Sequence, residues 1–186
     1  DAMARHAVAA TAARLGLIAR LNASLEAGAA DPFPRVILGL ACPIAQRLAS
    51  APALDVEDWL RGALAVSRAA DAAAKSSGYG PQKADLLIAD ALAGRPAALS
   101  STGQQKAMLI GIVLGHAGLI STLRGAPPLL LLDEPLVHLD AQRRGALFAA
   151  LARMDAPAWL TGTDQELFAG LDAAHLAVRD SLLTSG

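Results

Sequence analysis

The stretch Leu129-Leu130-Leu131-Leu132-Asp133-Glu134-Pro135 decides how this chain is read. Four consecutive leucines, launched by Pro127-Pro128, suit a strand buried on both faces of a parallel sheet. Two carboxylates at its C-terminal end then stand at the sheet edge where open α/β folds bind ligands. Adjacent carboxylates there can divide the chemistry, with Asp133 holding Mg²⁺ through a water and Glu134 polarising an attacking water. The same string also fits a plain strand end at which Asp133 and Glu134 begin the next turn.

Downstream, Ala141 to Met154 reads as a helix, Ala158 to Thr161 as a strand, Gln165 to Leu171 as a helix and His175 to Val178 as a closing strand. Strands alternating with helices indicate a parallel sheet with crossover helices. Upstream, Ser101 to Leu123 is a helix opened by Ser101-Thr102-Gly103-Gln104-Gln105-Lys106. Ser101 with Gln104 three residues on is a capping box. A helix N-terminus with a hydroxyl and a glycine is equally a phosphate site, and the two readings are compatible. Asp85 to Ala89 is a further strand candidate. Before it, Ser76 to Pro81 breaks the pattern, and the lobe boundary is expected there, dividing residues 1–78 from 79–186.

The first lobe reads as helical. Apolar Val8, Leu15, Ile18, Leu21 and Leu25 at helical spacing predict a helix over Asp1 to Ala27, stopped by Gly28. Val36 to Leu38 reads as a short buried strand, and Pro43 and Pro52 bound a short helix. Asp55 is the expected N-cap of a second long helix, from about Val56 to Lys75.

Composition narrows the class. The 186 residues carry a net charge of −1, with 54% hydrophobic and 3% aromatic residues, and 44 Ala and 32 Leu make up much of the chain. That is too apolar for disorder, and one cysteine excludes a disulfide scaffold. Cys42 alone fits a reducing cytoplasm. Ala107 to Leu123 is uncharged but interrupted by His116, Ser121 and Thr122, which favours a buried helix over a membrane span. The four histidines are scattered, so no side-chain metal cluster is visible. The chain opens on Asp1 rather than Met, and we expect a piece whose N-terminus lies upstream.

The segments recur in a fixed order: Ser101-x-Gly103-Gln104, a helix, a strand ending in Asp133-Glu134, then His138-Leu139-Asp140. This succession resembles the C-terminal half of an ABC-type ATPase head, with signature motif, Walker B strand and D-loop. Within that superfamily the chain resembles the RecF family of bacterial recombination-repair ATPases, over nearly its whole length. Gly80-Pro81-Gln82-Lys83-Ala84-Asp85 is similar to that family's Gly-Pro-His-Arg-x-Asp segment. Gly103-Gln104-Gln105-Lys106 resembles its signature region, and Leu139-Asp140 with Arg143 resembles its D-loop and following helix. Thr161-Gly162-Thr163-Asp164 resembles the segment after its next strand. Arg14, Leu21-Asn22 and Phe33-Pro34 resemble its arm lobe. Four departures stand out. Ser100 occupies the usual leucine of the signature, Val137 the usual serine of the D-loop, Gln82-Lys83 replace His-Arg, and Thr163 occupies the place of the transporters' switch histidine.

The resemblance implies an α/β fold, part of an ABC-type head, with an α-rich arm. It implies a DNA repair and replication-restart protein, an ATP-dependent DNA-binding homodimer that assists RecA loading at single-stranded gaps, with RecR and RecO as partners. ATP and Mg²⁺ are the implied cofactors, Asp133 serving the metal and Glu134 the attacking water. Ser101, Gly103, Gln104, Asp140 and Thr163 are the implied nucleotide contacts. Arg143 and Arg144 are candidate contacts to single-stranded, gapped or junction DNA, although two arginines on a helix also fit a solvated face. No G-x-x-x-x-G-K-[ST] string occurs, so the chain by itself is expected to be inactive as an ATPase. Half of an ABC transporter ATPase subunit, and a non-catalytic dimerisation or docking module, are the alternatives. A cytoplasmic protein with no membrane partner is expected.

Overall fold

A computed structural model describes residues 2–179 and 182–185. They form two compact units, residues 1–119 and 120–186.

In the first unit, α1 (Ala2–Glu26) buries Ala4, Ala7, Val8 and Thr11, a stripe at helical spacing. This stripe packs on Cys42, Ile44 and Ala45 around α2 (Pro43–Leu48) and on Val56 and Leu60 of α3 (Ala53–Ala74). Alanines on α1 and α2 let these helices approach closely. Thr11 is tolerated in this core because its hydroxyl donates to the Ala7 carbonyl at 2.8 Å. The N-cap of α3 is Pro52 rather than the expected Asp55, which lies in the first turn. There its charge complements the helix dipole. At the other end, Lys75 adopts φ +49° and Ser76 N–H bonds the Asp71 carbonyl, a left-handed stop without glycine.

The other end of α1 buries a second set. Leu21 and Leu25 pack with Ala30, Val36, Leu38, Ala97, Met108 and Ile112. Val36 and Leu38 belong to β1 (Val36–Ala41), and Met108 and Ile112 to α4 (Thr102–Arg124). Contact between these elements is close. A Cβ on Gly111 would lie 3.1 Å from Phe33 Cβ, and one on Gly115 would lie 2.6 Å from Leu25 Cδ2. Helix α4 is long and apolar enough to cross a membrane by length and composition. Here Met108 and Ile112 serve a protein core.

β1 pairs antiparallel with β2 (Asp85–Asp90), Val36 opposite Asp90 and Ala41 opposite Asp85, and β2 pairs antiparallel with the short β3 (Arg95–Pro96). The strand after the expected boundary at residues 78 and 79 is therefore paired to the strand before it, and both lie within the unit of residues 1–119. Antiparallel pairing between strands 43 residues apart in a chain leaves no local signature. Asp90 closes the β2–β3 turn by accepting the N–H groups of Ala93 and Leu92 at 3.0 and 2.9 Å, which holds its carboxyl below the usual value of 3.8.

One side chain clips α1 to the sheet. Asn22 Nδ2 donates to the Leu38 carbonyl at 2.9 Å, and Asn22 Oδ1 accepts the Leu38 N–H at 2.8 Å. An amide is the group that can satisfy a donor and an acceptor of one backbone residue at once. Asn22→Ala should lower unfolding free energy by about 2 kcal/mol, because two part-buried backbone groups lose their partners. Asn22→Asp should also destabilise, because the carboxylate keeps the acceptor but sets an oxygen against the Leu38 carbonyl where the amide donated. Urea denaturation of both variants checks this, and wild-type stability in either would contradict it.

In the second unit, β4 (Leu130–Leu132) and β5 (Ala158–Leu160) are parallel and joined through α5 (Ala141–Met154). Leu130 is buried, as are Leu147, Ala150 and Leu151 of α5. Burial on both faces, expected for the leucine run, is not found. Leu131 is 72% exposed and its register partner Trp159 is 61% exposed. A two-stranded sheet has one face covered among the described residues, and side chains alternate across it. The expected helix at Gln165 to Leu171 is a 3₁₀ turn, Gln165–Phe168. The expected closing strand, β6 (Leu176–Arg179), pairs antiparallel with β7 (Leu182–Ser185) in a separate hairpin rather than joining the parallel sheet.

Candidate functional site

The parallel pair β4–β5 sets the geometry of the acidic residues. Leu130 lies opposite Ala158, Leu131 opposite Trp159 and Leu132 opposite Leu160. Thr161 N–H then bonds the Leu132 carbonyl at 3.0 Å, so the ladder runs one step past the strands and sets Thr161 beside Asp133. The Thr161 hydroxyl donates to Asp133 Oδ1 at 2.5 Å and accepts the Glu134 N–H at 3.0 Å. Asp133 and Glu134 are both exposed at this strand end.

Glu134 has φ +44° and His138 φ +66°. Left-handed backbone at residues other than glycine costs about 1–3 kcal/mol each and persists only where surroundings impose it. Here the imposing contacts are visible. Leu136 and Leu139 are 2% and 5% exposed, pinning the loop on both sides of His138, and Leu139 N–H bonds the Leu136 carbonyl at 3.2 Å. Asp140 then caps α5, its Oδ1 accepting Arg143 N–H at 2.8 Å and its Oδ2 lying 3.3 Å from Arg143 Nη1. Arg144 Nη1 donates to the Leu139 carbonyl at 2.8 Å. The two arginines considered for DNA thus brace the loop between Glu134 and α5.

Ser101, Gly103 and Gln104 lie in the first unit, at the start of α4. The capping box is reciprocal: Gln104 N–H reaches Ser101 Oγ at 3.3 Å and Ser101 N–H reaches Gln104 Oε1 at 3.2 Å. Gln105 adds a brace from its amide to the Ser100 carbonyl at 2.8 Å. Ser100 Oγ is buried with no hydrogen-bond partner among the described residues. The leucine usual at this place in the signature would leave no such orphan. Thr163 is exposed in the bend after β5. The hydroxyl that reaches Asp133 and Glu134 belongs to Thr161, two residues earlier. Sequence reasoning passed over it because only the strand register places residue 161 opposite residue 133.

The donor set suits a hard divalent cation. Two carboxylates at a strand end, one with an oxygen already fixed by a hydroxyl, match the one or two protein carboxylates by which Mg²⁺ is held beside substrate phosphates. The start of α4, with a capped serine and first-turn N–H groups, suits an anion.

The second unit is α/β, with a leucine strand that ends in two acidic residues and a braced loop after it, and the first unit is largely helical and carries the capped start of α4. The fold of the chain matches that of the recombination mediator protein RecF-ATPrS in the RecFOR pathway, at a TM-score of 0.72 and 18% identity over 98% of this chain and 48% of that one. The RecF-ATP structure of the same pathway gives a TM-score of 0.68 at 17% identity. In sequence, the chain is 44% identical over 170 residues to the DNA replication and repair protein RecF of Mesorhizobium japonicum. It is 41% identical over 185 residues to that of Brucella abortus. The chain is a homologue of RecF. It covers 91% and 98% of itself in these two matches but only 45% and 48% of the relatives, about half their length. No protein-family model matches it. These relatives are named as replication and repair proteins, not as transporters.

Proposed function

We propose that this chain supplies the signature, Walker B and D-loop half of a RecF-type ATPase that acts in DNA repair and replication restart. The observation that carries this reading is the pairing of Asp133 and Glu134 at the end of β4, held against Thr161, in a chain that also carries the capped signature helix. In this reading Asp133 holds Mg²⁺ through a water, and Glu134 orients the water that attacks the γ-phosphate. Mg²⁺ bound there would neutralise charge developing on the phosphate oxygens. Ser101, Gly103 and Gln104 of one subunit reach the γ-phosphate held by its partner in an ATP-dependent homodimer. Asp140, fixed as the cap of α5, lies at the dimer interface and ties hydrolysis to separation. Thr163 is a further nucleotide contact in this reading.

ATP binding then closes the dimer on gapped or junction DNA, assisting RecA loading with RecR and RecO in the cytoplasm. Arg143 and Arg144 contact DNA phosphates in this scheme only by exchanging their contacts with Asp140 and Leu139. A phosphate loop is not encoded within these 186 residues, so nucleotide affinity must come from elsewhere. Calorimetric titration of this chain with Mg·ATP should therefore show no binding tighter than about 1 mM. Micromolar binding by the chain alone would refute the half-site reading.

A further inference from the structure

Thr161 carries more than its place in the strand requires. Its hydroxyl has one proton to give, and that proton is committed to Asp133 Oδ1, while a lone pair takes the Glu134 N–H. Its backbone N–H is committed as well, to the Leu132 carbonyl. The residue thus touches three consecutive positions of the segment that delivers the acidic pair. Its β-branched side chain has few χ1 options, so the hydroxyl is held where the strand puts it. Glu134 adopts a left-handed backbone, φ +44°, which favours glycine, and the bond from its N–H to Thr161 is one of the contacts that impose it. Among the described residues, one Asp133 oxygen is fixed by a hydrogen bond, that from Thr161.

We infer that Thr161 is a positioning residue that sets Asp133 and Glu134 as a unit, turning one Asp133 oxygen toward a divalent cation and fixing the backbone from which the Glu134 carboxylate projects. This inference rests on the reading of Asp133 and Glu134 as the hydrolytic pair. It also gives the segment after β5 a mechanical role. Any shift of Thr161 moves the metal-holding carboxylate and the water-orienting residue together. Valine is nearly isosteric with threonine but can neither donate to Asp133 nor accept from Glu134, so Thr161→Val removes both contacts while keeping the shape.

The test compares Thr161→Val, Thr161→Ser and Glu134→Gln in the whole protein. Steady-state ATP turnover is measured beside Mn²⁺ binding to the protein–ATP complex, read by electron paramagnetic resonance as loss of the free-ion signal. Residues that orient metal ligands cost roughly 10–100-fold in affinity or activity when removed. Thr161→Val should lower kcat by about that factor and weaken Mn²⁺ binding about tenfold, with KM for ATP changed less than about threefold. Thr161→Ser, which restores the hydroxyl, should recover both. Wild-type Mn²⁺ affinity and kcat in Thr161→Val would overturn the proposal, and so would a Thr161→Ser variant as impaired as the valine. Should Thr161→Val fail to fold, Thr161→Ala takes its place with the same expected losses. Glu134→Gln should lose turnover with Mn²⁺ affinity unchanged. Wild-type turnover in that variant would instead remove the assignment of the hydrolytic pair, whatever Thr161 does.

Discussion

In the whole protein, Glu134→Gln should lower steady-state ATP turnover by about 10²–10⁴-fold, while on the proposed reading ATP still binds and the dimer accumulates. The substitution keeps the side chain's length, shape and one oxygen, and removes the charge that would draw a proton from water. Neither residue is glycine, so the left-handed backbone at this position, φ +44°, is equally strained before and after. The Thr161 contact is to the backbone N–H and does not depend on the side chain. Phosphate release assays and light scattering after size exclusion, both with Mg·ATP, read the two halves of the expectation. Unimpaired turnover would remove Glu134 from its role. Lost turnover without dimer accumulation would break the proposed link between hydrolysis and separation.

The second large effect concerns the arm. Leu60→Ala should lower unfolding free energy by about 2–5 kcal/mol. Leu60 has no exposed surface and sits among Ala4, Ala7, Val8, Cys42, Ile44, Ala45 and Val56. Most of these side chains are short and lie on helices that are held at other points, so they cannot reach into the space the leucine vacates. The loss therefore includes a cavity as well as the transfer of the missing atoms. Leu92→Ala provides the contrast, since Leu92 is 89% exposed and its truncation should change stability by less than about 0.5 kcal/mol. Urea unfolding followed by circular dichroism separates the two. Equal effects of the two truncations would contradict the packing described for α1, α2 and α3.

Much of the site could be read from the chain because its chemistry is concentrated in local strings. Ser101 and Gln104 are three residues apart and satisfy each other's backbone donors, so their spacing alone predicts the capping box that forms. Asp140 and Arg143 are likewise within one helical turn, and the start of α5 follows Asp140 as local preference requires. Asp133 and Glu134 follow the leucine strand directly. Helices α1, α4 and α5 match their expected spans within a residue or two, because apolar spacing and glycine or proline stops are also local signals.

Other features depend on partners distant in sequence. The β1–β2 pairing, which joins residues 36–41 to residues 85–90 across the expected boundary, is set by packing against α1 and α4 rather than by any short motif. Double burial of the leucine run does not follow from its composition, because strand burial depends on the layers around it, and here Leu131 and Trp159 share an exposed face. Thr161 reaches the acidic pair through register, which no string of neighbouring residues encodes.

By itself, then, the sequence determined which groups are present and in what order: the capped helix start, the acidic strand end and the braced loop. Each is a contact between residues no more than a few positions apart. Only the tertiary structure decided what stands beside Asp133. That depends on β5 lying parallel to β4 with Leu132 opposite Leu160, which carries a hydroxyl 28 residues away to within hydrogen-bond reach of the carboxylate.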